Sequence, residues 1–261
     1  MRNTLFLCCI LCTAFISGCG LKPSSTIPAG LTIEDAVENV KRQTLQVTDL
    51  TGWGHAISTH GSSVQTAKVS VKYIRPDIFK AVILGFAGIE LATVASDGDS
   101  VTAYIPTVDG FIRAGLKGTA LAGITPYPGA DISDLITAAA GSLPIPESDQ
   151  LSASLAFHDG HVELTMKNAD AEYIYFLKGN DLRVVECRKK VHGMNEWVVE
   201  RSRFKKAGDV FFPKKITVIA ETGKIEFEWS SFSLNTGISK NACTLTVPED
   251  ANRLFPRSSR K

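Results

Sequence analysis

The sequence predicts a mainly β domain with added helices, an antiparallel barrel or sandwich, and three observations carry that prediction. From Leu50 onward the apolar residues recur with a period of two, not with helical spacing. Asp97-Gly98, Asp159-Gly160 and Thr222-Gly223 punctuate those runs, and glycine supplies the positive φ that tight hairpins need. Helical spacing is confined to two short stretches, one before the strands and one between two blocks of them. Short strands about ten residues apart with glycine turns form one sheet closing on itself or two packed sheets.

The chain begins with a segment of different character. Arg2 precedes an apolar run from Leu5 to Ile16, and the small residues Ser17 and Gly18 follow. That order of charge, apolar stretch and small residues reads as a secretory signal, and the run is too short to cross a bilayer as a helix. Ile16-Ser17-Gly18-Cys19 resembles a bacterial lipobox. The resemblance implies that residues 1–18 are a lipoprotein signal peptide and that Cys19 becomes an acylated N-terminus held in membrane lipid. Several acyl chains, at about 0.8 kcal/mol per buried methylene, anchor a protein where one chain would be marginal. In the sorting rule of such lipoproteins an aspartate after the cysteine retains the protein in the inner membrane. Gly20 stands there, which implies the inner leaflet of the outer membrane, facing the periplasm.

Residues 19–30 read as a lipidated tether, whose roughly 35 Å of extended reach keeps the domain close to its membrane. Thr32 with Asp35 three residues on is a capping-box start. Ile33, Val37, Val40 and Thr44 or Leu45 then recur at helical spacing. Strands follow at Leu50 to Thr59, around Val69-Val71-Tyr73, at Ile78 to Leu84, Ile89 to Ala95 and Val101 to Ile105. Residues 114–150 are rich in Gly, Ala and Pro and hold one short helix, Ile132 to Ala140, set off by Pro126, Pro128, Pro144 and Pro146. A second block runs from Leu151 to Leu234. In its last strand Ile225, Phe227 and Trp229 share a face while Phe232 and Leu234 are out of phase, so a bulge near Ser230-Ser231 is expected. Cys243, Leu245 and Val247 read as a short final strand, residues 31–248 as one domain, and 249–261 as a frayed C-terminal tail.

The charges nearly cancel, with 28 Lys and Arg against 27 Asp and Glu, and loss of Arg2 with the signal balances them. A balanced chain argues against nucleic acid as a partner. Of six cysteines, Cys8, Cys9 and Cys12 leave with the signal and Cys19 is acylated. Cys187 and Cys243 remain, either as a disulfide worth roughly 4 kcal/mol by loop closure or as two buried thiols.

The order of elements resembles the LolA/LolB-like superfamily of periplasmic lipoprotein carriers and outer-membrane lipoprotein receptors. Leu50-Thr51-Gly52-Trp53-Gly54 looks like that family's opening strand, and Ile78 to Ile105 looks like its aliphatic strand, apolar loop and Asp-Gly hairpin. The resemblance implies a curved, incompletely closed antiparallel β-barrel covered by a few helices, with an apolar hollow for acyl chains. It implies a membrane-contact loop at Leu84, Phe86 and Ile89, since the receptor of that family carries an exposed leucine on a loop between early strands. The walls of the hollow are expected at Val69, Val71, Leu91, Phe227 and Trp229, with the two helices as a lid. The second half lacks the receptor's tryptophan-glycine-proline pattern.

No phosphate loop, dinucleotide fingerprint or nucleophile elbow occurs in the sequence. His158-Asp159-Gly160-His161 places two imidazoles across a turn, with no third metal ligand in sequence. The expectation is therefore a non-catalytic protein without cofactor or metal that binds lipid or lipoprotein acyl chains and assists their delivery to the outer membrane, exchanging with a periplasmic carrier. The alternative is a structural or assembly lipoprotein of an envelope complex without cargo; large aromatics filling the hollow favour that, small aliphatics favour cargo.

Overall fold

The computed structural model describes residues 27–116, 132–146, 151–221 and 223–254. Residues 1–18, Cys19, most of the tether, Thr222 and the last seven residues of the expected tail lie outside them.

Helix α1 (Ile33–Leu45) starts at the expected capping box: the Asp35 backbone N–H donates to Thr32 Oγ1 at 3.1 Å, and the Thr32 backbone N–H to the Asp35 carboxylate at 3.2 Å. Its buried stripe is Ala36, Val40 and Thr44 with Asn39, whereas Ile33 and Leu45 are exposed. The helix is thus turned slightly from the face its largest apolar residues suggest. It packs on β7 and β8, defined below, and small residues there allow a close approach.

The strands form two antiparallel meanders. The first comprises β1 (Asp49–His60), β2 (Ser63–Ile74), β3 (Ile78–Leu84), β4 (Glu90–Asp97), β5 (Ser100–Ile105) and β6 (Gly110–Gly115). The second comprises β7 (Ser152–His158), β8 (His161–Lys167), β9 (Glu172–Lys178), β10 (Arg183–Val191), β11 (Met194–Ala207), β12 (Val210–Ala220) and β13 (Gly223–Leu234). Pairing of β1 with β13 joins them, and with β14 (Asn252–Arg253) they make one sheet in the order β14-β6-β5-β4-β3-β2-β1-β13-β12-β11-β10-β9-β8-β7. The sheet is a curved barrel that does not close, because β7 and β14 at its two ends do not pair with each other. Helix α2 (Ile132–Ala139) lies between the meanders in sequence and packs on β12.

The bulge at the seam is where the phase of the sequence puts it. Trp53 faces Ser231 and Gly54 faces Trp229, which leaves Ser230 as the extra residue. Phe232 is thereby returned to the interior, 4.6 Å from the ring of Phe212. Gly54 is needed at this crossing, because a Cβ there would lie 2.3 Å from the Glu228 carbonyl oxygen.

Two expectations fail after β13, and one open choice is decided. The run Cys243-Leu245-Val247 is not a strand: Lys240–Cys243 forms one 3₁₀ turn, and the chain crosses the outer faces of β2, β3 and β4, where Lys80 Nζ donates to the Thr244 carbonyl at 2.9 Å. Both edges of β13 are already taken by β12 and β1, so no further strand can add there. Nor does the tail fray at Pro248, since Asn252 and Arg253 pair in parallel with Gly110 and Phe111 of β6, the nearest open edge. Cys187 and Cys243 are both buried and form no disulfide with each other. Cys187 belongs to the inner-face core, while Cys243 lies beside Ile78 and Ala95 on the outer face, and the sheet between them prevents a bond.

Candidate functional site

Strand alternation sends Val69, Val71 and Tyr73 of β2 to the inner face, and the antiparallel register sets them opposite Ile83, Ala81 and Phe79 of β3 respectively. Ala56 of β1 lies opposite Ala67 of β2 and Phe227 of β13. Ile136, Ala139 and Ala140, in α2 and just after it, cover these positions. Together with Ile225 they enclose an apolar groove of about 250 Å³. Its walls are small where the strands meet loops and large at the other end, where Tyr73 and Phe79 are buried. The Tyr73 hydroxyl at that end is occupied: its Oη donates to the Pro76 carbonyl at 2.9 Å. Burial, with a smaller contribution from Asp77, raises the Tyr73 phenol above its ordinary value, so it stays neutral.

Beyond Phe227 the hollow is solid. Trp229, 0% exposed, sits 4.5 Å from Phe227 and 5.9 Å from Phe212, ring centre to ring centre. Tyr175, Trp197, Leu164 and Met166 fill the space under α1. The lid is tied down on this side: Thr44 Oγ1 donates to the Leu143 carbonyl at 3.2 Å, Ser142 Oγ to the Thr44 carbonyl at 3.1 Å, and Tyr175 Oη to the Pro144 carbonyl at 2.7 Å. Gly141, at φ +73°, turns the chain out of α2 where an added Cβ would meet the Phe212 ring at 2.4 Å. One cation is sealed in this half. Arg201 is 5% exposed, its Nε and Nη1 have no hydrogen-bond partner among the described residues, and burial lowers its pKa to about 10, with Arg183 adding to the effect.

The wall strand β3 ends one residue after Ile83, and a short loop follows it. Gly85 N–H donates to the Ile89 carbonyl at 2.8 Å, and Phe86–Gly88 make one 3₁₀ turn with Ala87 at φ 56°. This closed turn holds Phe86 outward, 95% exposed, and leaves Ile89 60% exposed. Leu84 is half-buried.

The expected site residues therefore separate into groups. Val69, Val71 and Phe227 meet in the groove, and Leu84, Phe86 and Ile89 share the loop. Trp229 is sealed behind Phe227 and lines nothing. Leu91 is not in the wall because Ala92 and Val94 hold the inward phase of β4, opposite Ile83 and Ala81, and the register slip between Ile83 and Leu84 leaves Leu91 as the bulged residue. It lies over Gly85, 42% exposed. Cys19 is outside the described residues. Sequence reasoning did not assign Ala56, Ala81, Ile83 and Ile225 to the wall, although period-two alternation would have placed them. His158 and His161 stack at 4.8 Å, with His158 Nε2 3.9 Å from Glu163, and no group of three metal-ligating side chains is assembled among the described residues.

No protein-family model matches the chain, and no curated protein matches it in sequence. Solved structures do match its fold. A domain named for outer membrane lipoprotein sorting, from Vibrio parahaemolyticus, superposes with a TM-score of 0.58 at 13% identity, covering 82% of this chain and 97% of that one. A LolA superfamily protein from Nitrosomonas europaea gives 0.57 at 10% identity over 82% and 98%. A DUF1329 family protein from Desulfovibrio piger gives 0.57 at 12% identity over 84% and 100%. The unclosed, curved antiparallel barrel with helices over its hollow face is the LolA/LolB-like fold.

Proposed function

We propose that the protein is a lipid-anchored, periplasm-facing lipoprotein that holds lipid or lipoprotein acyl chains in the groove and assists their delivery to the outer membrane. The observation that carries this reading is the apolar groove of about 250 Å³ under α2, walled in part by β3, the strand that ends in the loop presenting Phe86. The naming of one structural neighbour for lipoprotein sorting agrees with it. Acylated Cys19 and the tether of residues 19–30 hold domain 31–248 beside the inner leaflet, and Leu84, Phe86 and Ile89 touch the bilayer. Chains pass between apolar surfaces without bond chemistry, driven by about 25 cal/mol per Å² of apolar area removed from water, and the reading assigns no catalytic residue, cofactor or metal. Donors are lipids or a periplasmic carrier with its lipoprotein cargo.

The test is acyl transfer into liposomes from full-length protein loaded with a fluorescent phospholipid or a triacylated lipopeptide. Transfer that slows at least ten-fold in Phe86→Asp, with loading unchanged, is the expected result. Failure of the wild type to load either of these probes or a single-chain fluorescent fatty acid overturns the reading. The filled half of the hollow favours a second reading, a structural lipoprotein of an envelope complex, and that failure would leave it standing.

A further inference from the structure

The groove and the seal beside it fix how much cargo fits. This inference rests on the acyl-binding reading above and narrows it. An apolar cavity of 150 Å³ holds a benzene ring, so about 250 Å³ has room for roughly ten carbons. The measure along the strands agrees: Tyr73 to Val69 spans four residues, about 13 Å at 3.3 Å per residue. Sideways growth is blocked, because Trp229, Phe212 and Phe232 pack against one another at ring-centre distances of 4.6 to 6.3 Å beyond Phe227. At the closed end Tyr73 and Phe79 are buried. Among the described residues that line the groove, the one side-chain hydroxyl, that of Tyr73, is spent on Pro76.

The geometry points to a single-chain site: the protein takes one acyl chain at a time, as in a fatty acid or a lysophospholipid, with about ten carbons inside and the head group left outside the groove. Two or three chains on one molecule, as in a phospholipid or a triacylated lipoprotein, have only one chain accommodated and leave the others in water. Selection is then by chain number and length and is indifferent to the head group.

Native mass spectrometry of the full-length protein, titrated with lysophosphatidylglycerol, dodecanoate, phosphatidylglycerol and a triacylated lipopeptide, tests this. One-to-one complexes with the first two, at least ten-fold weaker binding of the last two, and affinity that rises from eight to about ten carbons and then levels off are the expected results. Val71→Phe, checked for an unchanged melting profile, removes the complexes; the chain-length series on the wild type decides the matter if that variant does not fold. Binding of the lipopeptide as tight as that of the lysolipid overturns the single-chain inference and leaves the acyl-binding reading intact. Uptake of none of the four overturns both.

Discussion

The two halves of the hollow are built on the same sheet and differ in what stands on its inner face. Around β9 to β12 the inward positions are Tyr175, Trp197, Val199, Ile216 and Phe212, all buried. Around β1 to β3 they are Ala56, Val69, Val71, Ala81 and Ile83, and space remains between them and α2. Register and alternation are equally regular in both halves. The volume of the side chains therefore decides whether a given stretch of this barrel becomes core or groove. Phe227 stands at the boundary, with the groove on one side and Trp229 on the other.

Truncation should break the symmetry most visibly. Trp197→Ala, in the filled half, is expected to cost about 3–5 kcal/mol, the usual loss for a large buried aromatic. Val71→Ala, in the groove, should cost about 1 kcal/mol or less, because Val71 is only half-buried and already borders empty volume. Urea unfolding of the two variants measures both. Equal losses would mean that the groove is as much a part of the core as the filled half.

Arg201 sharpens the comparison in the opposite direction. It is a cation in the half that is otherwise apolar, with two guanidinium nitrogens unpartnered among the described residues. Burial disfavours its charged form, as the fall of its pKa to about 10 records. Replacing buried charge by an apolar side chain of similar volume commonly stabilises by about 1–4 kcal/mol. Arg201→Met should therefore raise the denaturation midpoint, whereas an unchanged or lower midpoint would show that the contact of the guanidinium with the Phe204 ring, 5.5 Å away, outweighs the cost of burying the charge.

The difference between the halves was partly legible in the sequence. Period-two alternation gave the strands, Asp97-Gly98 and Asp159-Gly160 gave two hairpins, and the phase slip before Phe232 gave the Ser230 bulge. These are local signals, each fixed by a few neighbouring residues. What depended on distant partners was not readable. Leu91 has the right type for the wall, but pairing with β3 gives the inward phase of β4 to Ala92 and Val94, opposite Ile83 and Ala81. Trp229 has the right face, and only the rings of Phe212 and Phe232 decide that it seals and does not line. Strand β6 was hidden in its glycine and alanine content, and β14 joined the one edge that sequence order does not indicate. Whether Cys187 pairs with Cys243 stayed open in the sequence for the same reason, since spacing says nothing about which face of a sheet each thiol takes.

The smallest effect belongs to the seam between the halves. On the outer face Glu226 of β13 meets Lys215 Nζ and Lys224 Nζ, each at 2.5 Å. Hydrogen bonds from Lys215 first and Lys224 second lower its carboxyl from 4.5 to about 2. A carboxylate whose pKa is lower when folded than when unfolded contributes stability above its unfolded value and loses it as the pH falls through the folded one. The window is therefore about pH 4.5 down to about 2. These side chains are partly open to water, so solvent screening holds the contribution to about 0.2–1 kcal/mol per pair. Glu226→Gln should be slightly less stable than the wild type at pH 7, and the two should converge as the pH is lowered towards 2. Urea titrations at fixed ionic strength across that range measure the difference. A gap that persists unchanged at pH 2 would assign the effect to packing of β13 between β1 and β12 and not to charge. A gap that closes would show that the seam is held by an outer-face ion pair while the groove and the filled core beneath it are set by side-chain volume alone.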